Sequence, residues 1–278
     1  MLKLIESLSL PGDPAKQNED AFGGSASAAV VLDGATMLGE GLMPGPSDAA
    51  WIAQFGARRL IAHLKDEEPK KALKLAMGDA EKSFHALRRG EMEDQWQIPC
   101  ASMVLVAEQE KGLEFLYLGD CGAIVEQGDG VKIIGETLDK RAEESARAAQ
   151  VAKEKKLASA SALSRPEFIR HLRERRNRVN SGNYWLFSPD RRAAVHAGRR
   201  IVAVEKGAHL LLASDGFLAL AWDYGAYDAM GLLTAAKAKG LAAMGTELRA
   251  IEAADPDGNR FARFKKSDDA TALLLEVV

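Results

Sequence analysis

The sequence predicts an α+β fold in which antiparallel strands are covered by amphipathic helices. Short runs rich in Val, Leu, Ile and aromatic residues follow one another closely, as they do in hairpins. Segments with apolar residues at helical spacing fall between these groups of strands. No internal repeat and no long Pro/Gly/Ser linker divides the 278 residues, so we expect a single domain over 1–278.

The predicted strands are short apolar segments bounded by residues that favour turns. They are Ala28–Asp33, Ser102–Ala107, Leu113–Leu118, Ala123–Gln127, Val131–Ile134, Ile201–Val204, His209–Ala213 and Thr271–Val277. The stretches Gly119–Gly122 and Gln127–Gly130 have the composition of tight turns. We therefore expect the strands on either side of these turns to form an antiparallel meander.

Two amphipathic helices are predicted before Ser102. The first follows Ser47, a residue type that caps helices, and the second follows Pro69, which is favoured in the first helical turn. Their apolar stripes carry no charges, so we expect both helices to cover a sheet. Further helices are predicted within Leu138–Arg178 and Ala226–Ala254.

The segment Leu138–Arg178 ends in a basic run from His171 to Arg178. Such a run can be an ordinary solvated face of a helix. It can also lie beside an active site and attract a phosphorylated substrate, because arginine binds phosphate well. The sequence leaves both interpretations open.

Composition excludes several other classes of protein. The apolar fraction of 47% is that of a globular protein, and a net charge of −3 gives no global attraction for nucleic acid or for an anionic membrane. Cys100 and Cys121 lack the spacing of a zinc site or of a disulfide framework. With no secretory signal or membrane-spanning run evident, a cytoplasmic location is expected.

Acidic residues recur at the ends of apolar runs. Asp33-Gly34, Gly119-Asp120 and Asp215-Gly216 each end such a run, and Asp268-Asp269 opens the final strand. One Asp-Gly pair usually marks only a turn. Strand ends can, however, bring several carboxylates into one cleft, where their mutual repulsion requires cations. Ligand sets made only of oxygen atoms favour Mg²⁺ or Mn²⁺.

This ligand set predicts hydrolysis of a phosphate ester. Two such ions, about 3.5–4 Å apart, can share a water molecule and present it in line to a phosphorus atom. The chain has no serine-hydrolase elbow, no Walker-type phosphate loop and no dinucleotide-binding glycine motif. Its five histidines are scattered, which disfavours catalysis by zinc.

Six motifs, taken in order, resemble the signature of the type 2C class of metal-dependent serine/threonine protein phosphatases, in particular its bacterial members. They are Asn18-Glu19-Asp20, Val31-Leu-Asp33-Gly34, Ala101-Ser102, Leu118-Gly119-Asp120-Cys121, Ala213-Ser214-Asp215-Gly216 and Asp268-Asp269-Ala270-Thr271. The resemblance implies a four-layer α-β-β-α sandwich of two antiparallel sheets flanked by helices, with the metal site at one edge. It also implies a flap-like helical insert at about 138–200.

The same resemblance implies roles for the acidic residues. Asp33 is expected to bridge two metal ions, with the carbonyl oxygen of Gly34 on one ion and Asp215 and Asp268 on the other. Asp33 and Asp215 would then be the catalytic residues, acting through a water molecule that the metal activates.

Two further aspartates are expected at the same centre. Asp20 is expected near the ion bound by Gly34, and Asp120 at a third, weaker ion of the kind found in bacterial relatives. Asp269 stands where the family usually has Asn, so it is a weaker candidate than Asp268. The expected cofactors are thus two Mn²⁺ or Mg²⁺ ions, with a third bound less tightly.

The chain also departs from the family pattern. Ala15 replaces the arginine that commonly binds the substrate phosphate, which leaves Lys16 as the candidate for this role. Ala35-Thr36 stands where eukaryotic members often have a histidine after Asp-Gly. The expected substrate is a phosphoprotein, with the enzyme acting opposite a serine/threonine kinase. A small-molecule phosphatase and a non-catalytic regulatory binding module remain the alternatives.

Overall fold

The computed structural model describes residues 1–135, 166–263 and 265–278. The strands are β1 (Leu2–Leu10), β2 (Asp20–Gly24), β3 (Ala28–Gly34), β4 (Ala101–Gln109), β5 (Gly112–Leu118), β6 (Gly122–Gln127), β7 (Gly130–Gly135), β8 (Gly198–Val202), β9 (His209–Ala213) and β10 (Ala270–Val277). The α-helices are α1 (Asp48–His63), α2 (Pro69–Leu87), α3 (Pro166–Arg176), α4 (Asp215–Trp222), α5 (Ala229–Lys239) and α6 (Leu241–Ala254). Short 3₁₀ helices cover Gln95–Gln97 and Arg191–His196.

The strands form two five-stranded antiparallel sheets. Sheet I has the order β1-β10-β9-β6-β7, and sheet II has the order β2-β3-β4-β5-β8. Every predicted strand is present within a few residues of its expected position. Two strands, β1 and β2, were not predicted.

Side chains alternate between the two faces of each sheet and so define the layers. On β3, Val30 and Leu32 pack against α1 and α2, whereas Val31 lies between the sheets. On β9, Leu211 packs against the helices that follow Asp215, whereas Leu210 faces the other sheet. The order of layers is therefore helix, sheet, sheet, helix, and the predicted four-layer sandwich is confirmed.

Both helices predicted before Ser102 are confirmed, with the expected residues at their starts. The Ser47 hydroxyl accepts the Ala50 backbone N–H at 3.1 Å and caps α1. Pro69 lies in the first turn of α2, where its missing N–H costs no hydrogen bond. The two helices cover the outer face of sheet II, as their apolar stripes predict.

The predicted meander is wrong at its first turn. β5 pairs with β4 and β8 in sheet II, whereas β6 pairs with β7 and β9 in sheet I. The stretch Gly119–Gly122 therefore carries the chain from one sheet to the other and does not close a hairpin. Gly119 has a φ of 72° there, and a Cβ at this position would overlap the Ser102 hydroxyl. Only the second turn, Gln127–Gly130, joins a hairpin, between β6 and β7.

The helical predictions for the later part of the chain are confirmed where the structure describes it. Ala226–Ala254 forms α5 and α6, which are separated by Gly240 with a φ of 82°. Of the predicted helical segment Leu138–Arg178, Pro166–Arg176 is helical, and residues 136–165 lie outside the described residues. None of the helices described combines the length and the apolar character needed to cross a membrane.

Candidate metal centre

Antiparallel pairing brings the first acidic residues together at one end of sheet II. Asp20, the first residue of β2, is opposite Asp33 on β3. Asp33 is in turn opposite Ser102 on β4. Because residues in register across a sheet lie side by side, this pairing places two aspartates and a hydroxyl group in a row.

Asp120 joins this row from the segment that crosses between the sheets. The Ser102 hydroxyl donates a hydrogen bond to Asp120 Oδ1. The close approach of Gly119 to the same serine makes this contact possible, because a side chain there would occupy the space. Ser102 on β4 therefore fixes the orientation of the Asp120 side chain, which lies in the connection between β5 and β6.

Asp215 reaches the cluster from sheet I. It is the first residue of α4, and only Ser214 separates it from the end of β9. Its neighbour Ser214 is fully buried, donates its hydroxyl to Asp20 Oδ2 at 2.7 Å and accepts the Thr271 backbone N–H at 2.9 Å. One serine thus links β2 of sheet II with β9 and β10 of sheet I.

The structure brings three of the predicted ligands into mutual contact range. Asp33, Asp120 and Asp215 each offer a carboxylate oxygen, and these oxygens all lie within 4.8 Å of one another. Such a group of oxygen atoms has the chemistry that hard divalent cations prefer. Gly34 follows Asp33 directly and pairs with Ala101 at the same end of sheet II.

The carboxylates of the cluster are buried and repel one another. Burial raises the pKa of Asp33 well above its usual range, and the carboxylates of Asp20 and Asp215 raise it further. Burial also raises the pKa of Asp20, although its hydrogen bond from Ser214 opposes this shift. Asp20 Oδ1 is buried and has no hydrogen-bond partner among the residues that the structure describes. A divalent cation would satisfy this oxygen and relieve the repulsion, so the residues present fit a metal ion.

Asp268 and Asp269 have different surroundings. Asp268 Oδ1 is 2.7 Å from the ammonium group of Lys265, an ion pair that the sequence analysis missed. Asp269 accepts the backbone N–H groups of Gly12, at 2.7 Å, and Glu19, at 2.5 Å. Asp269 therefore holds two loops together, whereas Asp268 remains beside the carboxylate cluster.

Glu19 connects the cluster to the segment that follows Gly34. Its two carboxylate oxygens accept the hydroxyl groups of Thr36, at 2.6 Å, and Ser47, at 2.7 Å. Since Ser47 caps α1, this network fixes the start of the helix relative to β2. Sequence analysis identified the Asn-Glu-Asp motif but not these partners of Glu19.

Lys16, the candidate for binding the substrate phosphate, lies on a surface turn. Its side chain is 79% exposed, and its ammonium group is 3.8 Å from Asp13. Exposed ion pairs of this kind contribute little to stability. Among the residues that the structure describes, the Lys16 side chain therefore makes only this weak ion pair.

The basic helix α3 contacts the loop that follows the cluster. Arg176 donates to the backbone carbonyls of Ala35 (3.2 Å) and Thr36 (2.9 Å). Arg173 donates two hydrogen bonds to the Leu38 carbonyl and stacks on Trp96, with its guanidinium carbon 4.0 Å from the ring centre. Both arginines are thus bound to the loop that directly follows Gly34 and are not fully solvated. The basic run therefore lies beside the candidate centre.

Comparison with known proteins identifies the fold. No protein-family model and no curated protein sequence matches this chain. Solved structures do match, along almost the whole chain. The serine/threonine phosphatase PstP/Ppp of Mycobacterium tuberculosis is 15% identical, with a TM-score of 0.60 over 99% of this chain and 98% of that one. This chain has the fold of the PPM serine/threonine phosphatases.

Two further structures with this fold were solved with ligands. The catalytic domain of PstP in complex with two manganese ions is 17% identical, with a TM-score of 0.56 over 100% of this chain and 98% of that one. The PPM phosphatase MsPP of Mycobacterium smegmatis, in complex with cacodylate, is 14% identical, with a TM-score of 0.52 over 99% of each chain. Sequence identities this low establish that the chain shares the PPM fold and nothing more specific.

Proposed function

We propose that this protein is a metal-dependent phosphomonoester hydrolase that removes phosphate from phosphoserine and phosphothreonine in proteins. The observation that carries this proposal is the convergence of Asp33, Asp120 and Asp215 at one edge of the sandwich, in a fold shared with serine/threonine phosphatases. In this proposal Mn²⁺ or Mg²⁺ is bound by Asp20, Asp33, Gly34, Asp120, Asp215 and Asp268.

Divalent ions held there would supply the positive charge that activates water and stabilises the phosphoryl oxygens. The residues of the chain orient the ligands. Ser102 holds Asp120, and Ser214 holds Asp20, through hydroxyl groups donated to their carboxylates. Because these carboxylates are already oriented, they would need little rearrangement when negative charge develops on the phosphoryl group in the transition state.

A phosphoprotein substrate is supported by the basic helix beside the cleft. Arg175 is exposed on α3, between Arg173 and Arg176, which attach the helix to the loop after the cluster. Arginine side chains near the reacting phosphate would attract an anionic phosphopeptide. Residues 138–200 are accordingly proposed to act as the flap that selects substrates, and Lys16 as a further contact for the phosphate.

The proposal is tested by measuring hydrolysis of p-nitrophenyl phosphate and of a phosphothreonine peptide, with Mn²⁺, with Mg²⁺ and with a chelator. We expect activity on both substrates that requires the metal and that Asp33→Ala abolishes. Asp129→Ala is the matched control, because Asp129 is an exposed aspartate in the β6–β7 turn, away from the cluster.

Each other outcome would select a different function. Activity on p-nitrophenyl phosphate but not on phosphopeptides would favour the small-molecule phosphatase. If a folded protein binds Mn²⁺ but hydrolyses neither substrate, the catalytic proposal is wrong and the binding module replaces it.

A further inference from the structure

Lys265 places a positive charge inside the candidate metal centre. Its ammonium group is 2.7 Å from Asp268 Oδ1, and its side chain is only 32% exposed. The same Asp268 oxygen also accepts the Asp269 backbone N–H at 2.9 Å. One of the two carboxylate oxygens of Asp268, Oδ1, is therefore already bound by two donors.

The charge on Lys265 is maintained by the carboxylates around it. Besides Asp268, the carboxylates of Asp33 and Asp215 also attract the ammonium group of Lys265. The ammonium group thus faces carboxylates from both sheets, and not Asp268 alone. A cation at this position partly neutralises the cluster when no metal is bound.

We propose that Lys265 is an internal cation that competes with a metal ion for Asp268. This inference rests on the proposed metal centre. An ion bound among Asp33, Asp120 and Asp215 meets oxygens that already lie within 4.8 Å of one another. An ion at Asp268 would lie close to the ammonium group of Lys265, and repulsion between the two cations would weaken its binding unless the ammonium group moved away. The two positions therefore bind metal with unequal affinity.

The experiment is a titration of the protein with Mn²⁺, followed by isothermal calorimetry and by the electron paramagnetic resonance signal of free Mn²⁺. Wild type is expected to bind one ion tightly and a second ion more weakly. Lys265→Met removes the competing charge and should tighten the weaker dissociation constant by about tenfold or more, with little change in the tighter one. Circular dichroism establishes that each variant is folded.

Two control variants separate the effect of charge from other effects. Lys266→Met alters the neighbouring lysine, which is exposed, and should leave both dissociation constants unchanged. Lys265→Arg keeps the positive charge and should keep the weaker constant near its wild-type value.

The outcomes distinguish this inference from the proposed function. If Mn²⁺ binds but Lys265→Met leaves both constants unchanged, Lys265 does not compete with the metal and the inference is overturned, while the metal centre stands. If no variant binds Mn²⁺, the metal centre itself is rejected, and the inference fails with it. Equal tightening by Lys265→Met and Lys266→Met would also overturn it, because a general change in surface charge would then explain the result.

Discussion

Gly34 shows how closely the backbone packs around the carboxylate cluster. A Cβ at this position would overlap the carbonyl group of Ala49, at the start of α1, and would lie 2.7 Å from the carbonyl oxygen of Glu19. Gly34 also donates its backbone N–H to that Glu19 oxygen at 3.0 Å. The absence of a side chain therefore allows β2, β3 and α1 to meet beside Asp33.

Substitution of Gly34 by alanine should force these three elements apart. Overpacking at a rigid site costs about 1–3 kcal/mol, so Gly34→Ala should lower the free energy of unfolding by about that amount. Urea denaturation of the protein without metal measures this change. Gly24→Ala is the matched control on the neighbouring strand, since a Cβ there would come no closer than 3.9 Å to its nearest contact. Equal losses for the two variants would contradict this packing argument.

At the same scale, the sequence identifies the acidic residues better than their partners. Asp33, Asp120 and Asp215 could be found because each stands beside a glycine at the end of an apolar run. The hydroxyl contacts of Ser102 and Ser214 depend on the register between strands that are distant in the chain, which no local pattern encodes. Lys265 was missed because its local sequence resembles an exposed basic turn, and nothing in that sequence shows that its side chain meets the carboxylate cluster.

Among the elements, the connection from α6 to β10 is organised around one carboxylate. Asp255 accepts backbone N–H groups from Asn259 to Phe261 at 2.8–3.1 Å and pairs with Arg263 at 2.9 Å. Although desolvation opposes the shift, these donors hold the pKa of Asp255 at about 2, below its ordinary value of 3.8.

The depressed pKa of Asp255 predicts how stability depends on pH. Because the folded-state pKa lies below the unfolded value, the contribution of this group is complete above about pH 4 and is lost as the pH falls towards 2. Asp255→Asn should therefore destabilise the protein at neutral pH, and the difference from wild type should shrink on acidification. Thermal unfolding across this pH range measures the effect, with the exposed Asp129→Asn as control. A difference that stays constant with pH would refute this role.

The contact between α3 and the loop after Thr36 depends on the geometry of arginine. Arg173→Lys keeps the charge but cannot donate from two nitrogens to Leu38 or stack equally well on Trp96. If α3 helps to bind the substrate, the KM for a phosphopeptide should rise by about two- to tenfold, the equivalent of one hydrogen bond. The KM for p-nitrophenyl phosphate should change less. Arg170→Lys, at an exposed position on the same helix, should change neither.

In the whole molecule, the two sheets are held together by the apolar layer between them. Phe115 on β5 is fully buried in this layer. Phe115→Ala should lower the free energy of unfolding by about 3–5 kcal/mol because it leaves a cavity. Phe22→Ala, at a position that is 40% exposed, should cost much less. Urea denaturation compares the two variants, and similar losses would show that the layer between the sheets does not dominate stability.

At this scale, the layers were predictable but the connections between them were not. The apolar periodicities identified most strands and helices, and the motif order implied the sandwich. The pairing of β1 with β10 joins opposite ends of the chain, from Leu2 with Val277 to Leu10 with Ala270. The crossing at Gly119–Gly122 has the composition of a hairpin turn. A turn motif specifies a reversal of the chain but not which sheet receives the next strand.

The acidic cluster draws its residues from both sheets, which has a consequence for the rate of unfolding. Asp20 and Asp33 belong to sheet II, whereas Asp215 and Asp268 lie at the ends of β9 and β10 in sheet I. A cation shared between them would act as a cross-link, and the sheets could not separate until it was released. Interactions that break before the unfolding transition state slow unfolding and leave the folding rate little changed. Metal binding would therefore lengthen the lifetime of the folded protein, even where catalysis is not required.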